Sequence, residues 1–411
     1  MRSEGLKWVG RCLLWLAAAT IFSAPVRAQH VISMLPPYDA ENPYPISFLR
    51  PFYVIHSVNG DTASAPPLSA FAPAQIRHAY GFDAVPNQGA GQVIGIVDAY
   101  DDPNIESDLL AFDEQFNLPA CTTSNGCFRK VYARGVRPAA NSNWGMEMSL
   151  DVEWAHAIAP QAKIVLVEGA SNSLSDLLYA VEIAVNNGAS VVSMSWTTGE
   201  FAGETQQDTH FAVTGVTFLA ASGDSGTGVA YPAASPDVVG VGGTTLVLDS
   251  QGNYSNETAW SGSGGGLSAR EREPLFQAAF GIPDDARGYR GAPDVSYNAN
   301  PSTGYAVYDT LAINGQVGWF QVGGTSAAVP QWAALVAMAN SLRVSQRKAR
   351  LTATDTPLYQ LGKSNANFHG VTQGSNGKCG AICTAGAGYD YVTGLGTPQA
   401  PGLIAALVAR P

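Results

Sequence analysis

A glycine-rich turn that leads a serine into an apolar run is the first feature of this sequence able to do chemistry. The turn reads Gly-Gly-Thr-Ser-Ala-Ala-Val-Pro at 323–330, and the apolar stretch 331–336 follows it. Backbone N–H groups at a helix N-terminus favour a serine there and can also hold an oxyanion. Ser326 is therefore a candidate nucleophile, and simple capping of the helix is the alternative explanation.

A serine nucleophile needs a base, and two carboxylates lie upstream of Ser326 in a helix-forming segment. Glu147 and Asp151 are four residues apart, so both project from one face of the predicted helix. Two neighbouring carboxylates that share a proton have pKa values that are pushed apart. Such a pair can act as acid and base at acid pH. A solvated acidic face is the alternative interpretation.

Two further acids follow predicted buried strands, the places where sites form in open parallel sheets. Asp224 lies in Ala-Ser-Gly-Asp-Ser-Gly at 221–226. A protonated aspartic acid there could donate to an oxyanion, although an aspartate in a glycine-rich turn is also common without function. Asp98 ends the first strand of the predicted sheet, where it could relay or orient protons.

The elements that position these residues alternate between strand and helix. Continuous apolar runs typical of strands buried on both faces occur at 92–97, 163–167, 190–194, 216–220 and 238–241. Helical segments are predicted near 105–116, 146–158, 173–187 and 204–213. A hairpin is predicted from 305–308 and 318–322, closed near Asn314-Gly315. The order predicts an α/β fold, with a parallel sheet flanked by helices on both faces.

Composition excludes several classes of function. The chain has 411 residues, of which 46% are hydrophobic and 13% charged, so a large core is expected. A formal net charge of −11 argues against a nucleic-acid-binding surface. No internal segment has the roughly 18 apolar residues in a row that a spanning helix needs.

The N-terminus is typical of an exported protein. Basic residues precede an apolar run, and Val26-Arg27-Ala28 supplies small residues for cleavage, so 1–28 is predicted to be a signal peptide. An N-terminal membrane anchor is the alternative. Residues 29–70 are rich in proline, serine and alanine, and predict an extended arm with one strand at 52–58. The pattern of a folded domain then runs over 71–411.

The cysteines of the mature chain form two close pairs, Cys121 with Cys127 and Cys379 with Cys383. Two local disulfides are the simplest interpretation in an oxidising compartment. A four-cysteine zinc site is the alternative, although the spacing is poor for it.

In order and spacing, these motifs resemble the sedolisins, or serine-carboxyl peptidases, over roughly 71–411. The resemblance rests on 71–77, on E-M-S-L-D, A-S-G-D-S-G and G-G-T-S-A-A-V-P, and on G-S-G-G-G-L-S at 262–268. It implies a subtilisin-like fold in which Glu, Asp and Ser replace Asp, His and Ser. No histidine of this chain lies in the His-Gly-Thr context of subtilisins.

The resemblance also implies a role for each matched residue. Ser326 is the nucleophile, Glu147 its general base and later acid, and Asp151 the group that orients and protonates Glu147. Asp224 is the oxyanion acid. The remaining matches are Asp98 and Trp196 in the supporting network, with Gly264, Gly265 and Gly266 along the substrate.

One calcium ion near the C-terminus is a further implication of the resemblance. Asp390 and the carbonyl groups of Val371, Gly386 and Gly388 match the family's ligands. Gly370 replaces the usual first aspartate, which should weaken a site for a hard cation. A glycine-rich loop without metal is the alternative.

Together these features predict a secreted acid endopeptidase that forms an acyl-enzyme on Ser326 and cleaves protein or peptide substrates. We expect a monomer, with no nucleic-acid partner and no membrane contact after signal removal. The arm over 29–70 would be a short or vestigial propeptide. A catalytically silent relative that serves as a secreted binding protein is the alternative.

Overall fold

The computed structural model describes residues 49–51, 53–58, 62–63, 65–283 and 288–411. The predicted signal peptide and the first part of the arm lie outside the described residues. The division of the chain into signal, arm and catalytic domain therefore stays a prediction.

Nineteen strands are described. In chain order they are β1 Arg50–Pro51, β2 Val54–Val58, β3 Thr62–Ala63, β4 Val93–Ala99, β5 Phe128–Tyr132, β6 Lys163–Gly169, β7 Val191–Met194, β8 Trp196–Gly199, β9 Thr217–Ala221, β10 Ala230–Tyr231, β11 Val239–Leu248, β12 Tyr254–Ala259, β13 Gly266–Arg272, β14 Tyr289–Ala292, β15 Val295–Asn298, β16 Tyr305–Ile313, β17 Gln316–Gly323, β18 Phe368–His369 and β19 Thr397–Pro398.

Eight α-helices are described among the same residues. They are α1 Pro73–Tyr80, α2 Ile105–Phe116, α3 Ser142–Ile158, α4 Leu174–Asn186, α5 Leu275–Phe280, α6 Thr325–Ser345, α7 Asp355–Leu361 and α8 Ala400–Ala409.

The central sheet confirms the predicted fold class. Its strands lie in the order β12-β11-β9-β7-β4-β6-β5, with β15 paired to β11. All these pairs are parallel except β11 with β12. The five predicted runs form β4, β6, β7, β9 and β11. Strands that are apolar at every position must be covered on both faces, and the helices provide that cover.

Helices pack on both faces of the sheet. The helices α3 and α6 pack against each other and on its central strands. The helix α4 packs on β4 and β6, where a Cβ atom at Gly95 would lie 3.1 Å from the Ala184 methyl group. Nearly every side chain of α6 is buried, so its N-terminus is held rigidly inside the molecule.

One predicted helix is wrong. The segment 204–213 forms two short 3₁₀ turns, Glu204–Gln206 and Asp208–His210. The buried Glu204 carboxylate accepts a hydrogen bond from the Phe201 N–H at 2.5 Å, and Asp208 accepts one from the Tyr231 hydroxyl at 3.2 Å. Side-chain hydrogen bonds thus compete with a regular helix here.

The hairpin is confirmed as β16 and β17, and both turn residues have positive φ, 50° at Asn314 and 81° at Gly315. The described part of the arm is built into the domain. The strand β2 pairs antiparallel with β17, and β1 pairs antiparallel with β8. The arm therefore adds strands to two sheets of the domain.

Both predicted disulfides are confirmed, Cys121–Cys127 and Cys379–Cys383. Among the described residues, no helix combines the length and the apolar character that crossing a membrane requires.

Candidate active site

Ser326 is the second residue of α6 and is fully buried. Gly324 occupies the N-cap position with a φ of 119° and has no side chain that could cap the helix. Capping therefore does not explain the serine. The Ser326 Oγ atom instead donates a hydrogen bond to the Ser195 carbonyl oxygen at 3.3 Å, which leaves the hydroxyl free to turn to another acceptor.

Pro330 leaves a backbone acceptor of α6 available for a contact with Ser195, the residue between β7 and β8. It lacks the N–H that would bind the Ser326 carbonyl oxygen, four residues earlier in the helix. That oxygen faces the Ser195 hydroxyl at 3.4 Å. A proline in the first two turns thus leaves a backbone acceptor open to a neighbouring element.

Glu147 and Asp151 lie one turn apart on α3, and both are fully buried. The alternative of a solvated acidic face is therefore wrong. The Asp151 Oδ1 atom accepts a hydrogen bond from the Ser195 Oγ atom at 2.8 Å. Neither oxygen of Glu147 has a hydrogen-bond partner among the described residues.

Asp98, at the carboxyl end of β4, completes a group of three buried acids with Glu147 and Asp151. We call these three residues, which are candidates for catalysis, the catalytic carboxyls. Burial raises the pKa of Glu147, and the charges of Asp151 and Asp98 raise it further, while the nearby Ser326 hydroxyl opposes the rise. Burial and Asp98 raise the pKa of Asp151. Burial raises the pKa of Asp98 to about 8. Protons are thus readily shared among the three carboxyls.

Asp224 lies beside the start of α6. Its Oδ1 atom accepts hydrogen bonds from the Thr325 N–H and the Thr325 hydroxyl, both at 2.8 Å. Its Oδ2 atom is buried and has no partner among the described residues. Burial raises the pKa of Asp224 to about 7. Because Oδ1 already accepts two hydrogen bonds, a proton on this acid belongs on Oδ2, which can then donate.

Trp196 is fully buried, and its indole N–H donates to the Val97 carbonyl oxygen at 2.9 Å. It therefore fixes the end of β4, the strand that carries Asp98, rather than binding a carboxylate.

Two residues near the site were missed by sequence reasoning. Ser195 follows a buried strand in the Ser-Met-Ser-Trp run at 193–196, and that position was the available signal for it. Tyr53 lies in the arm between β1 and β2, and no pattern marks it. Its phenol is buried without a hydrogen-bond partner among the described residues, and the charges of Glu147 and Asp309 both raise its pKa.

The glycine run serves the chain's own packing at two positions. A Cβ atom at Gly264 would lie 1.9 Å from the Ser222 carbonyl oxygen, and one at Gly265 would lie 2.1 Å from the Tyr391 carbonyl oxygen. The Gly265 backbone also exchanges two hydrogen bonds with Gly228, both at 2.9 Å. Substrate binding by this run, including Gly266 at the start of β13, stays a prediction.

The predicted calcium loop contains one carboxylate, that of Asp390. Both oxygens of Asp390 accept hydrogen bonds, from the Gly386, Val392 and Thr393 N–H groups and from the Thr393 hydroxyl. Space beside Gly370 is open, but no carboxylate stands there. With Gly370 in place of an aspartate, Asp390 is the one carboxylate among the predicted ligands, which weakens a site for a hard divalent cation.

No described histidine side chain contacts Ser326. Each contacts other groups: His78 with Asn253, His156 with Pro119 and Asp113, His210 with Glu182, and His369 stacked on Tyr254. Among the described residues, the carboxylates are therefore the bases nearest to the serine.

Comparison with known proteins agrees with this geometry. The model of the subtilase family matches residues 139–380, more than half of the chain. Kumamolisin of Bacillus sp. (strain MN-32) is 34% identical over 381 residues, which cover 83% of this chain and 64% of kumamolisin. Sedolisin of Pseudomonas sp. (strain 101) is 30% identical over 293 residues, covering 62% of this chain and 47% of sedolisin.

A solved structure of Pseudomonas sedolisin, a serine-carboxyl proteinase complexed with two molecules of pseudo-iodotyrostatin, superposes with a TM-score of 0.70 at 27% identity. The match covers 84% of this chain and 98% of that one. The chain spans less than two thirds of the full length of both curated relatives, kumamolisin and sedolisin. It belongs to the subtilase family, and its relatives within that family are the sedolisins, the serine-carboxyl peptidases.

Proposed function

We propose that this protein is a secreted acid serine-carboxyl endopeptidase. Ser326 attacks the scissile carbonyl carbon of a peptide while Glu147 takes the hydroxyl proton. Glu147 then returns that proton to the leaving amine, and an acyl-enzyme remains on Ser326. Water, activated by the same carboxylate, hydrolyses the ester and releases the serine.

The observation that carries the proposal is a buried serine at a helix N-terminus near a buried glutamate whose oxygens have no fixed partner. The Ser326 hydroxyl donates only to the Ser195 carbonyl, and the Glu147 oxygens accept no hydrogen bond among the described residues. A rotation about the serine side chain would exchange one acceptor for the other. This arrangement supports Ser326 as the group that gives up a proton and Glu147 as the group that accepts it.

Asp151 and Asp98 support the role of Glu147. Glu147 can act as a base only while it is ionised, and neighbours that hold their own protons favour its ionised form because they add no charge that would raise its pKa. Burial raises the pKa of both neighbours, which favours their protonated forms at acid pH. The Ser195 hydroxyl holds Asp151 in one orientation and thereby fixes the geometry of the pair.

Asp224 is proposed as the acid that stabilises the oxyanion. With its pKa raised to about 7, it is protonated at acid pH and can donate from Oδ2. It loses this proton as the pH rises through about 7. The proposed activity therefore falls above that pH, even where Glu147 is ionised.

The arm supports cleavage within a chain rather than at its end. Its strand β1 pairs with β8, directly after Ser195, and its strand β2 pairs with the end of β17, directly before the turn that carries Ser326. Tyr53 lies between them near Glu147. An extended chain can thus pass the site in both directions. The same placement means that the arm must move before a substrate binds.

Secretion, a monomeric state and protein or peptide substrates complete the proposal. The predicted signal peptide and the two disulfides support export to an oxidising compartment. Calcium at the Asp390 loop stays a prediction, and no step of the proposed reaction depends on it.

The test is cleavage of an unfolded protein by the purified chain, from about pH 2.5 to 8. We expect a maximum on the acid side of about pH 7, insensitivity to pepstatin, and no cleavage by Ser326→Ala or Glu147→Gln. Wild-type turnover by either variant would contradict the mechanism. No cleavage by the wild type at any pH, with the arm intact or removed, would favour the silent binding protein.

A further inference from the structure

A second group of buried acids lies outside the proposed catalytic machinery. Asp102 follows β4, Asp108 lies in the first turn of α2, and Asp309 lies in β16. Each of the three side chains is at most 1% exposed. One carboxylate oxygen from each lies within 4.8 Å of the other two. We call these three residues the acidic cluster.

Backbone groups fix the three carboxylates in place. The Asp102 Oδ1 atom accepts from the Asn104 N–H at 2.8 Å, and the Asp309 Oδ1 atom accepts from the Leu311 N–H at 2.7 Å. Thr310 donates to both oxygens of Asp108 through its N–H and its hydroxyl. The cluster is thus assembled from three elements before any ligand binds.

The remaining oxygens point to a missing partner. The Oδ2 atoms of Asp102 and Asp309 are buried and have no hydrogen-bond partner among the described residues. The buried Tyr53 hydroxyl, on which the charge of Asp309 acts, also lacks a partner among those residues. Unpaired buried polar atoms are costly, so these three call for a bound group.

The charges around the cluster favour a cation. Glu153 on α3 is fully buried, and the charges of Asp108 and Asp309 act on it, so a fourth acid faces the cluster. The Lys130 ammonium group donates to the Asp102 backbone carbonyl oxygen at 2.7 Å and pairs with Asp101 and Glu168, and no salt bridge to the Asp102 carboxylate is described. Four buried acids thus face one another, an arrangement that bound protons or a bound cation can stabilise.

The helix α3 packs closely on the acidic cluster at Gly145. A Cβ atom there would lie 2.9 Å from the Leu311 side chain and 3.5 Å from the Asp102 Oδ2 atom. Glycine at this position therefore lets α3 approach both groups closely.

We propose that Asp102, Asp108 and Asp309 bind one divalent cation, and that calcium is the best match. Calcium binds oxygen ligands at about 2.3–2.6 Å, so two ligands on opposite sides of the ion lie up to about 5 Å apart. The separations in the acidic cluster stay within that limit. Carboxylate oxygens held by backbone donors are the hard, fixed ligands that such an ion prefers.

The cluster is a better calcium site than the loop at Asp390. It offers three carboxylates, two of them with an unpartnered oxygen, whereas the loop offers one carboxylate beside the predicted carbonyl ligands of Val371, Gly386 and Gly388. If this chain binds calcium, the ion is held by the acidic cluster and joins α2 to the β16–β17 hairpin. This inference does not depend on the proposed peptidase activity.

Calorimetric titration with calcium chloride at about pH 8, after chelator treatment and dialysis of the full chain, tests the proposal. We expect one ion bound by the wild type and by Asp390→Asn. Removing a group that only orients a metal ligand typically weakens metal binding 10–100-fold. Asp309 and Asp108 are proposed as ligands themselves, so Asp309→Asn and Asp108→Asn should weaken calcium binding by at least about tenfold. Glu106→Gln, also in the first turn of α2, is the matched control and should bind like the wild type.

Absence of calcium binding by the wild type would overturn the proposal, and the carboxylates would then be neutralised by protons alone. Equal binding by Asp309→Asn, or loss of binding in Asp390→Asn alone, would overturn it as well. Near-ultraviolet circular dichroism checks that each variant folds. As a second measurement, calcium should raise the Tm of the wild type and not that of a folded Asp309→Asn.

Discussion

The catalytic carboxyls and the acidic cluster lie close together, yet their surroundings differ in kind. Asp98 and Asp102 are only four residues apart, and burial raises the pKa of both, to about 8 and about 7. In the catalytic carboxyls, the Glu147 oxygens have no fixed donor and lie near a serine hydroxyl. In the acidic cluster, backbone N–H groups hold each carboxylate and no serine nucleophile is described beside it.

The comparison shows that a raised pKa does not by itself identify a catalytic acid. Burial produces the same shift in both groups. What distinguishes them is whether the hydrogen bonds around the carboxyl can change partners. The Glu147 oxygens have no hydrogen-bond donor among the described residues, whereas Asp108 is tied to Thr310 at both oxygens. The first arrangement suits proton transfer, and the second suits a fixed ligand.

The largest expected effect separates the two groups by activity. Ser326→Ala and Glu147→Gln should each lower kcat by roughly 10⁴-fold or more, because nucleophile and base act as a unit. Steady-state kinetics on a peptide substrate at the pH of maximal activity measures this. Glu106→Gln is the control and should keep wild-type kcat. A loss of kcat below about tenfold in Glu147→Gln would mean that the catalytic carboxyls differ from the acidic cluster in no catalytic role.

A smaller loss is expected from the oxyanion acid. Asp224→Ala should lower kcat on the order of 10²–10³-fold, because a donor to the developing charge is removed. Asp224→Asn keeps an N–H donor, so it should lose less and should also lose the decline in rate near pH 7. Comparison of the two pH profiles checks both expectations. Equal losses with unchanged profiles would remove Asp224 from the oxyanion site.

Stability should fall as the pH rises, because both groups contain acids with raised pKa values. Unfolded aspartates ionise near pH 4, whereas the folded values for Asp98, Asp102, Asp224 and Asp309 are about 8, 7, 7 and 8. The folded protein therefore holds more protons between about pH 4 and 8, and its free energy of unfolding decreases over that range. His156 and His369, whose pKa values are both lowered to about 4 by burial, oppose the trend as two groups against several.

Thermal denaturation of Ser326→Ala, which cannot digest itself in the proposed mechanism, measures this dependence. We expect its Tm to drop by roughly 5 °C or more from about pH 5 to pH 8. Calcium should recover part of that loss at pH 8 if the acidic cluster binds it. A Tm that rises over this range would mean that the buried acids are ionised and stabilised by partners.

The smallest expected effect concerns Tyr53, whose hydroxyl lies near members of both groups. Tyr53→Phe should change the free energy of unfolding by no more than about 1 kcal/mol, because the hydroxyl has no hydrogen-bond partner. Tyr80→Phe is the matched comparison: its hydroxyl donates to Glu257 at 2.6 Å, so its loss should cost about 1–3 kcal/mol. Chemical denaturation measures both. A similar cost for Tyr53→Phe would show that a carboxylate accepts its proton in solution.

Local patterns in the sequence determined much of the framework. Continuous apolar runs identified β4, β6, β7, β9 and β11, because strands covered on both faces have no polar side. The turn at 323–330 identified the start of α6, and the spacing of Glu147 and Asp151 placed both acids on one helix face. These features depend on residues within one or two turns of each other, so the chain order displays them directly.

Tertiary structure alone decided what depends on distant residues. Sequence could not tell that α3 is buried all round, which turns a pair of acids into coupled carboxyls. It gave no sign that Gly264 and Gly265 pack on the carbonyl oxygens of Ser222 and Tyr391, or that Tyr53 faces Glu147. The acidic cluster joins residues 102, 108 and 309, more than 200 positions apart at its extremes. Burial and proximity of this kind are properties of packing, and packing decides which acids ionise, which share protons and which can hold an ion.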